Sequence, residues 1–226
     1  MGKHHSIAID GPAGAGKSTV ARRLAKELGY YYVDTGAIYR TVAYFLDLLG
    51  ISPRDTDGVE RYLDELTVAI EYDADGKQHM LMNGMDVTDD IRSQEISQKA
   101  SLVSAQPSVR EMLLDLQRDM AKRHDVVMDG RDIGTVVLPR ADVKIFLTAS
   151  AQVRARRRTD ELAARGEQAN YEKILREIEQ RDDQDTHRAI APLRQAKDAV
   201  RVDSSELDID GVVAVIREAA GRKISL

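Results

Sequence analysis

The chain has 226 residues, 33 Lys and Arg against 38 Asp and Glu for a net charge of −5, 42% hydrophobic residues and no cysteine. That length is enough to bury a substantial core, as one domain or as one core with insertions, and the missing cysteines exclude a disulfide framework. With no signal peptide and no apolar run of about 18 residues, a soluble, cytoplasmic protein is expected; the slight acidity excludes nucleic acid or a membrane as an overall partner, so any basic site is local.

His4 and His5 lie ahead of the first apolar run and, with no further Cys or His nearby, read as an exposed terminus rather than a metal pair. Ser6–Asp10 is short, apolar and β-branched at two places, as expected of a strand buried on both faces. Directly after it stands Gly11-Pro12-Ala13-Gly14-Ala15-Gly16-Lys17-Ser18, the pattern G-x-x-x-x-G-K-[ST]. In this pattern Gly11 and Gly16 permit torsions that turn N–H groups onto phosphate oxygens, Lys17 supplies a mobile charge for the β- and γ-phosphates, and Ser18 offers a hydroxyl to Mg²⁺. A helix is predicted from Lys17 to Leu28, with Val20, Leu24 and Leu28 on one stripe and Gly29 ending it; its positive end points at the same phosphates.

A second strand is predicted over Tyr30–Val33, followed by Asp34-Thr35-Gly36-Ala37-Ile38-Tyr39-Arg40. The next predicted core strand begins only at Val126, far beyond what a crossover needs, so something is inserted between. Within the insertion, Val68–Tyr72 and His79–Met82 read as a hairpin about the Asp75-Gly76 turn signal, and Asn83-Gly84 offers a second turn. Pro107 then opens a helix with Val109, Met112, Leu113, Leu116 and Met120 on its apolar stripe. Val126–Asp129, Val143–Leu147 and Ala199–Val202 complete five predicted strands, which with the alternating helices give a parallel sheet covered on both faces.

A phosphate loop alone says only that a nucleoside triphosphate binds. The chain has two asparagines, Asn83 and Asn170, and neither begins the Asn-Lys-x-Asp of a guanine reader; the Ser-Gly-Gly of a transporter ATPase is also absent. Arg40 and Arg131 instead follow the carboxyl ends of neighbouring predicted strands, where a doubly wound sheet holds its ligands, and a guanidinium fork suits a phosphate monoester. Arg154, Arg156, Arg157 and Arg158 fall within a turn and a half of helix after the fourth strand, which reads as a lid bringing arginines over a transferring phosphoryl group and excluding water. A helical stretch from Tyr171, carrying Ile174, Leu175 and Ile178 inward, ends in the mixed cluster Arg181 to Arg188.

Four stretches together, namely Gly11–Ser18, Asp34–Arg40, Asp129-Gly130-Arg131-Asp132-Ile133-Gly134-Thr135, and Arg181-Asp182-Asp183 with Arg188–Leu193, resemble the bacterial cytidylate kinases over nearly the whole chain. The resemblance implies a P-loop kinase fold of class α/β: a five-stranded parallel sheet covered on both faces, an inserted monophosphate-binding domain with a small antiparallel sheet, and a helical lid. It divides the chain into a core (1–35, 105–150 and 171–226), a monophosphate-binding domain (36–104) and a lid (151–170). It further implies ATP bound by residues 11–19, thus Gly11 through Thr19, with Arg157, and an acceptor phosphate held by Thr35, Arg40, Arg131 and Arg188. Arg181 and Asp185 fall to the sugar, and Ser101, Arg110 and Asp132 to cytosine, whose exocyclic amine would donate to the Asp132 carboxylate. Lys17, Arg131, Arg156, Arg158 and Arg188 are the expected catalytic residues, and Ser18 with Asp129, directly or through water, the Mg²⁺ site. Thr35 stands where many members carry serine. The expected partners are ATP and CMP or dCMP, acting on a monomer; the alternatives are a P-loop kinase for UMP or another small molecule such as shikimate, and a non-catalytic nucleotide sensor.

Overall fold

The computed structural model describes residues 4–224. In chain order it builds β1 (Ser6–Asp10), α1 (Lys17–Leu28), β2 (Tyr31–Asp34), α2 (Thr35–Leu48), α3 (Thr56–Leu63), β3 (Val68–Tyr72), β4 (Gln78–Met82) and β5 (Met85–Asp86). There follow α4 (Gln94–Val103), α5 (Pro107–Arg123), β6 (Val126–Gly130), a π-turn over Ile133–Val137, β7 (Val143–Thr148), α6 (Ala151–Ala164), α7 (Tyr171–His187), β8 (Val200–Asp203) and α8 (Ile209–Gly221).

Five strands form one parallel sheet in the order β2-β6-β1-β7-β8, and β3-β4-β5 form a separate antiparallel sheet. Two strand starts of the large sheet differ from expectation by one residue, each for a local reason, and β4 begins one residue earlier than expected, at Gln78. The N–H of Tyr30 donates to Ala25 O and so still caps α1, and the N–H of Ala199 donates to Ala196 O within a turn. Asn83 and Gly84 both have positive φ (50° and 82°), and their turn pairs β4 with a short third strand that sequence periodicity is too brief to reveal.

Two apolar cores flank the large sheet. On one face Val20, Leu24, Val212 and Ile216 from α1 and α8 pack against Ile7, Ile9 and Ile145. On the other, Ala8, Val33 and Met128 meet Ile38, Val42 and Leu46 of α2, Met80 of β4, Ile96 and Val103 of α4 and Leu113 of α5. The inserted region 36–104 therefore shares one continuous core with a face of the main sheet. Its small sheet also fastens to the open edge of β2: the Gln78 side chain accepts from the N–H of Asp34 at 2.7 Å and donates to its carbonyl at 3.3 Å, and the Tyr72 hydroxyl donates to Tyr32 O at 2.8 Å. A side-chain amide thus takes the place of the neighbouring strand that β2 lacks on that side.

Candidate active site

The carboxyl ends of β1, β2 and β6 open into one crevice of about 720 Å³, lined by the phosphate loop, the start of α2, the end of β6 and the facing sides of α4, α6 and α7. Gly11 has no room for a side chain, because a Cβ there would lie 1.9 Å from the carbonyl oxygen of Leu147. Gly16 caps α1 at φ +90°, a conformation glycine adopts without cost. Lys17 is buried and donates to Pro12 O at 2.7 Å. Burial, with Arg131's like charge adding, holds its ammonium below the ordinary lysine range, while Asp129 works the other way.

Ser18 Oγ donates to Asp129 Oδ2 and the Tyr32 hydroxyl to Asp129 Oδ1, both at 2.9 Å. Burial raises the Asp129 carboxyl, and the nearby charge of Asp34 raises it further. Thr35 Oγ1 donates to the carbonyl of Asp129 at 2.7 Å, tying the start of α2 to the end of β6, and Thr35 lines the crevice.

Around the rest of the crevice cations and carboxylates alternate. Arg40 is held by Asp34 at 3.0 Å, while Asp34 also caps α2 through the N–H of Ala37. Arg131 Nε donates to Asp185 Oδ2 at 2.8 Å, and Ser101 Oγ lies 3.5 Å from Asp185 Oδ1. The buried Nε atoms of Arg40 and Arg181 have no hydrogen-bond partner in the structure. Burial and the charges of Arg131 and Arg40 pull Arg181 down to about 10, as three guanidinium groups crowd one space. Such a cluster fits a dianionic phosphate. Beside it, the Asp132 carboxylate is held between Arg110, buried over the Tyr39 ring, and Arg188 at 3.0 Å.

The arginines of α6 divide by helical phase, since consecutive residues are turned about 100° apart. Arg154 points inward: it donates to Ala149 O and Ala13 O and pairs with Asp182, fastening the phosphate loop to α7 rather than covering it. Arg157 lines the crevice and holds both the carbonyl and the hydroxyl of Ser204. Arg156 and Arg158 do not line it: Arg156 is exposed to solvent and Arg158 pairs with Glu161 at 2.8 Å. The other predicted site residues line this crevice, except Gly11 and Pro12, which begin the phosphate loop just outside the lining, and Arg110, which lies behind Asp132.

The family model for cytidylate kinase matches residues 7–222. The chain belongs to the cytidylate kinase family. A cytidylate kinase of Carboxydothermus hydrogenoformans is 52% identical over 96% of this chain and 97% of its own length. Those of Pelotomaculum thermopropionicum and an Exiguobacterium species are 51% and 50% identical, over 99% and 96% of this chain and 100% and 96% of their own lengths.

Two residues of this cytidylate kinase family site escaped sequence reasoning. Tyr32 reads as a core residue by pattern, yet its hydroxyl orients Asp129. Asp10 ends an apolar strand and accepts from the N–H groups of Ile133 and Gly134, each at 2.7 Å; burial pushes its carboxyl up to about 6 against the pull of those two amides. A charged residue at a fully buried strand position was the available signal.

Proposed function

We propose that the chain transfers the γ-phosphoryl group of ATP to the phosphate of CMP or dCMP, releasing ADP and CDP or dCDP. The observation that carries it is the buried Asp132 carboxylate, held by Arg110 and Arg188 in the crevice that also holds Lys17 and Ser18. That carboxylate accepts from the cytosine amine, whereas uracil sets a carbonyl oxygen against it. Ser101 and Arg110 donate to the ring nitrogen and carbonyl, and Arg181 and Asp185 hold the sugar. Thr35, Arg40, Arg131 and Arg188 bind the acceptor phosphate, one of whose oxygens attacks the γ-phosphorus in line as the bond to the β-phosphate oxygen breaks. That oxygen is already anionic, so positioning and charge stabilisation supply the rate without a general base.

Gly11 to Thr19 cradle the ATP phosphates, Lys17 neutralises charge on the transferred group, and Arg157 flanks the donor. Arg156 and Arg158 join them only as α6 closes over the crevice, and the segment 151–170 is read as that lid over the core and the monophosphate-binding region 36–104. Ser18 Oγ and the Asp129 carboxylate, 2.9 Å apart, are hard oxygen donors that fit Mg²⁺, an ion that takes one or two protein ligands and fills its shell with phosphate oxygens and water. Bound there, Mg²⁺ supplies charge neutralisation at the β- and γ-phosphates. A monomer acting in the cytoplasm belongs to this reading; no helix among the described residues is long and apolar enough to cross a membrane.

Initial rates with CMP, dCMP, UMP and AMP under ATP·Mg²⁺, read by ADP release, test the reaction and the acceptor together. CMP and dCMP are expected to exceed UMP by about tenfold or more in kcat/KM, the penalty for one mismatched buried polar group. Equal or greater activity with UMP overturns the base assignment, and ATP binding without acceptor-stimulated ADP release overturns the enzyme.

A further inference from the structure

Asp10 is the last residue of β1 and directly precedes Gly11, where the phosphate loop begins. It is buried and stands outside the crevice lining. Both carboxylate oxygens are committed across the sheet: Oδ1 accepts the N–H of Ile133 and Oδ2 that of Gly134, each at 2.7 Å. These are the two amides that follow Asp132. On the other side the carbonyl of Asp132 accepts from the N–H groups of Val136 and Val137 at 2.9 and 3.2 Å. The fit is close, since a Cβ on Gly134 would lie 3.3 Å from Asp10 Oδ2 and 3.1 Å from Lys144 Cδ. The rest of β1 is filled by Ile7, Ala8 and Ile9, so packing would be served by another apolar residue here, and a buried carboxylate is costly. Two adjacent N–H donors call for a side chain with an acceptor at each position, which carboxylate meets and carboxamide does not.

We infer that Asp10 is a positioning residue that holds Ile133 and Gly134, and through them Asp132, in register with the donor loop, and so sets discrimination between cytosine and uracil monophosphates. The inference rests on the function proposed above. An Asp10→Asn side chain keeps the shape but turns an N–H donor towards one of the two amides. Gly134→Ala disturbs the same contact from the other side and leaves the phosphate loop and Asp10 unchanged in sequence.

Steady-state kinetics of wild type and both variants with CMP, UMP and ATP test it, alongside thermal midpoints. In each variant KM for CMP is expected to rise about tenfold and the CMP-to-UMP ratio of kcat/KM to fall by about as much, with KM for ATP within about threefold of wild type. General destabilisation lowers both acceptors alike and leaves that ratio where it was. An unchanged ratio in folded variants overturns the inference, as does a rise in KM for ATP without one for CMP, which would place the action of Asp10 on the donor loop alone. Should Asp10→Asn fail to fold, Gly134→Ala decides by the same ratio. Wild-type protein that does not phosphorylate CMP overturns the proposed function itself, whereas wild-type turnover with unchanged discrimination in the variants overturns this inference alone.

Discussion

Lys17 is buried beside the half-buried Arg131, so its ammonium stands against desolvation and like charge at once. Triphosphate oxygens would relieve both, and this makes the lysine a group whose charge is most useful in the loaded state. Lys17→Ala is expected to lower turnover by about 10²–10³-fold, the usual effect of removing one preorganised donor. Its far-UV circular dichroism and thermal midpoint should stay near wild type, because the change removes a buried charge rather than packed apolar surface. Activity within tenfold of wild type in a coupled ADP assay would remove the lysine from the mechanism. At this scale residue identity was legible where a motif carries it, as in Lys17, Ser18 and Arg131. It was not for Ser101 and Arg110, which are ordinary helix residues until α4 and α5 are packed beside Asp132 and Asp185.

Helical phase explains why four clustered arginines do different work. A run in sequence fans around α6, so Arg154 becomes a tie between the phosphate loop and Asp182, Arg157 reaches the crevice, and Arg156 turns to solvent. The small sheet shows a second effect that sequence periodicity does not encode. His79 on β4 directs Nδ1 to Asp86 at 2.7 Å and Nε2 to Asp73 at 3.3 Å, linking the β3–β4 turn to β5. Hydrogen bonds to Asp86 and then Asp73 raise its imidazole above 6.5, opposed by desolvation and the charge of Lys77. The folded value lies above the unfolded one, so the stabilisation is complete below about pH 6.5 and is lost as pH rises through the folded value. An NMR titration is expected to place the His79 midpoint above 6.5, and Asp86→Asn should lower it. A wild-type midpoint at or below 6.5 would contradict the double pairing.

Across the whole molecule, the parallel sheet aims three strand ends at one place, where Arg40, Arg131 and Arg181 crowd together and the buried Nε atoms of Arg40 and Arg181 have no hydrogen-bond partner. A phosphate-bearing ligand that engages those donors should stabilise the fold by linkage: CMP at a hundred times its Kd contributes about 2.7 kcal/mol, which for a chain of this size is a rise of roughly 5–10 °C in thermal midpoint. The nucleoside cytidine, lacking the phosphate, should give a much smaller shift, and equal shifts would show that the arginines do not read phosphate. By itself the sequence determined the five strands, the phosphate loop, the hairpin in the insertion and the identity of most charged groups, because these depend on local periodicity, turn chemistry and a contiguous motif. Only the tertiary structure decided the strand order, the shared core under the insertion, which α6 arginine faces inward, and the clamp from Asp10 to Ile133 and Gly134. Each of these joins residues far apart in the chain, and long-range pairing is set by which faces can be buried together rather than by any signal a neighbouring residue carries.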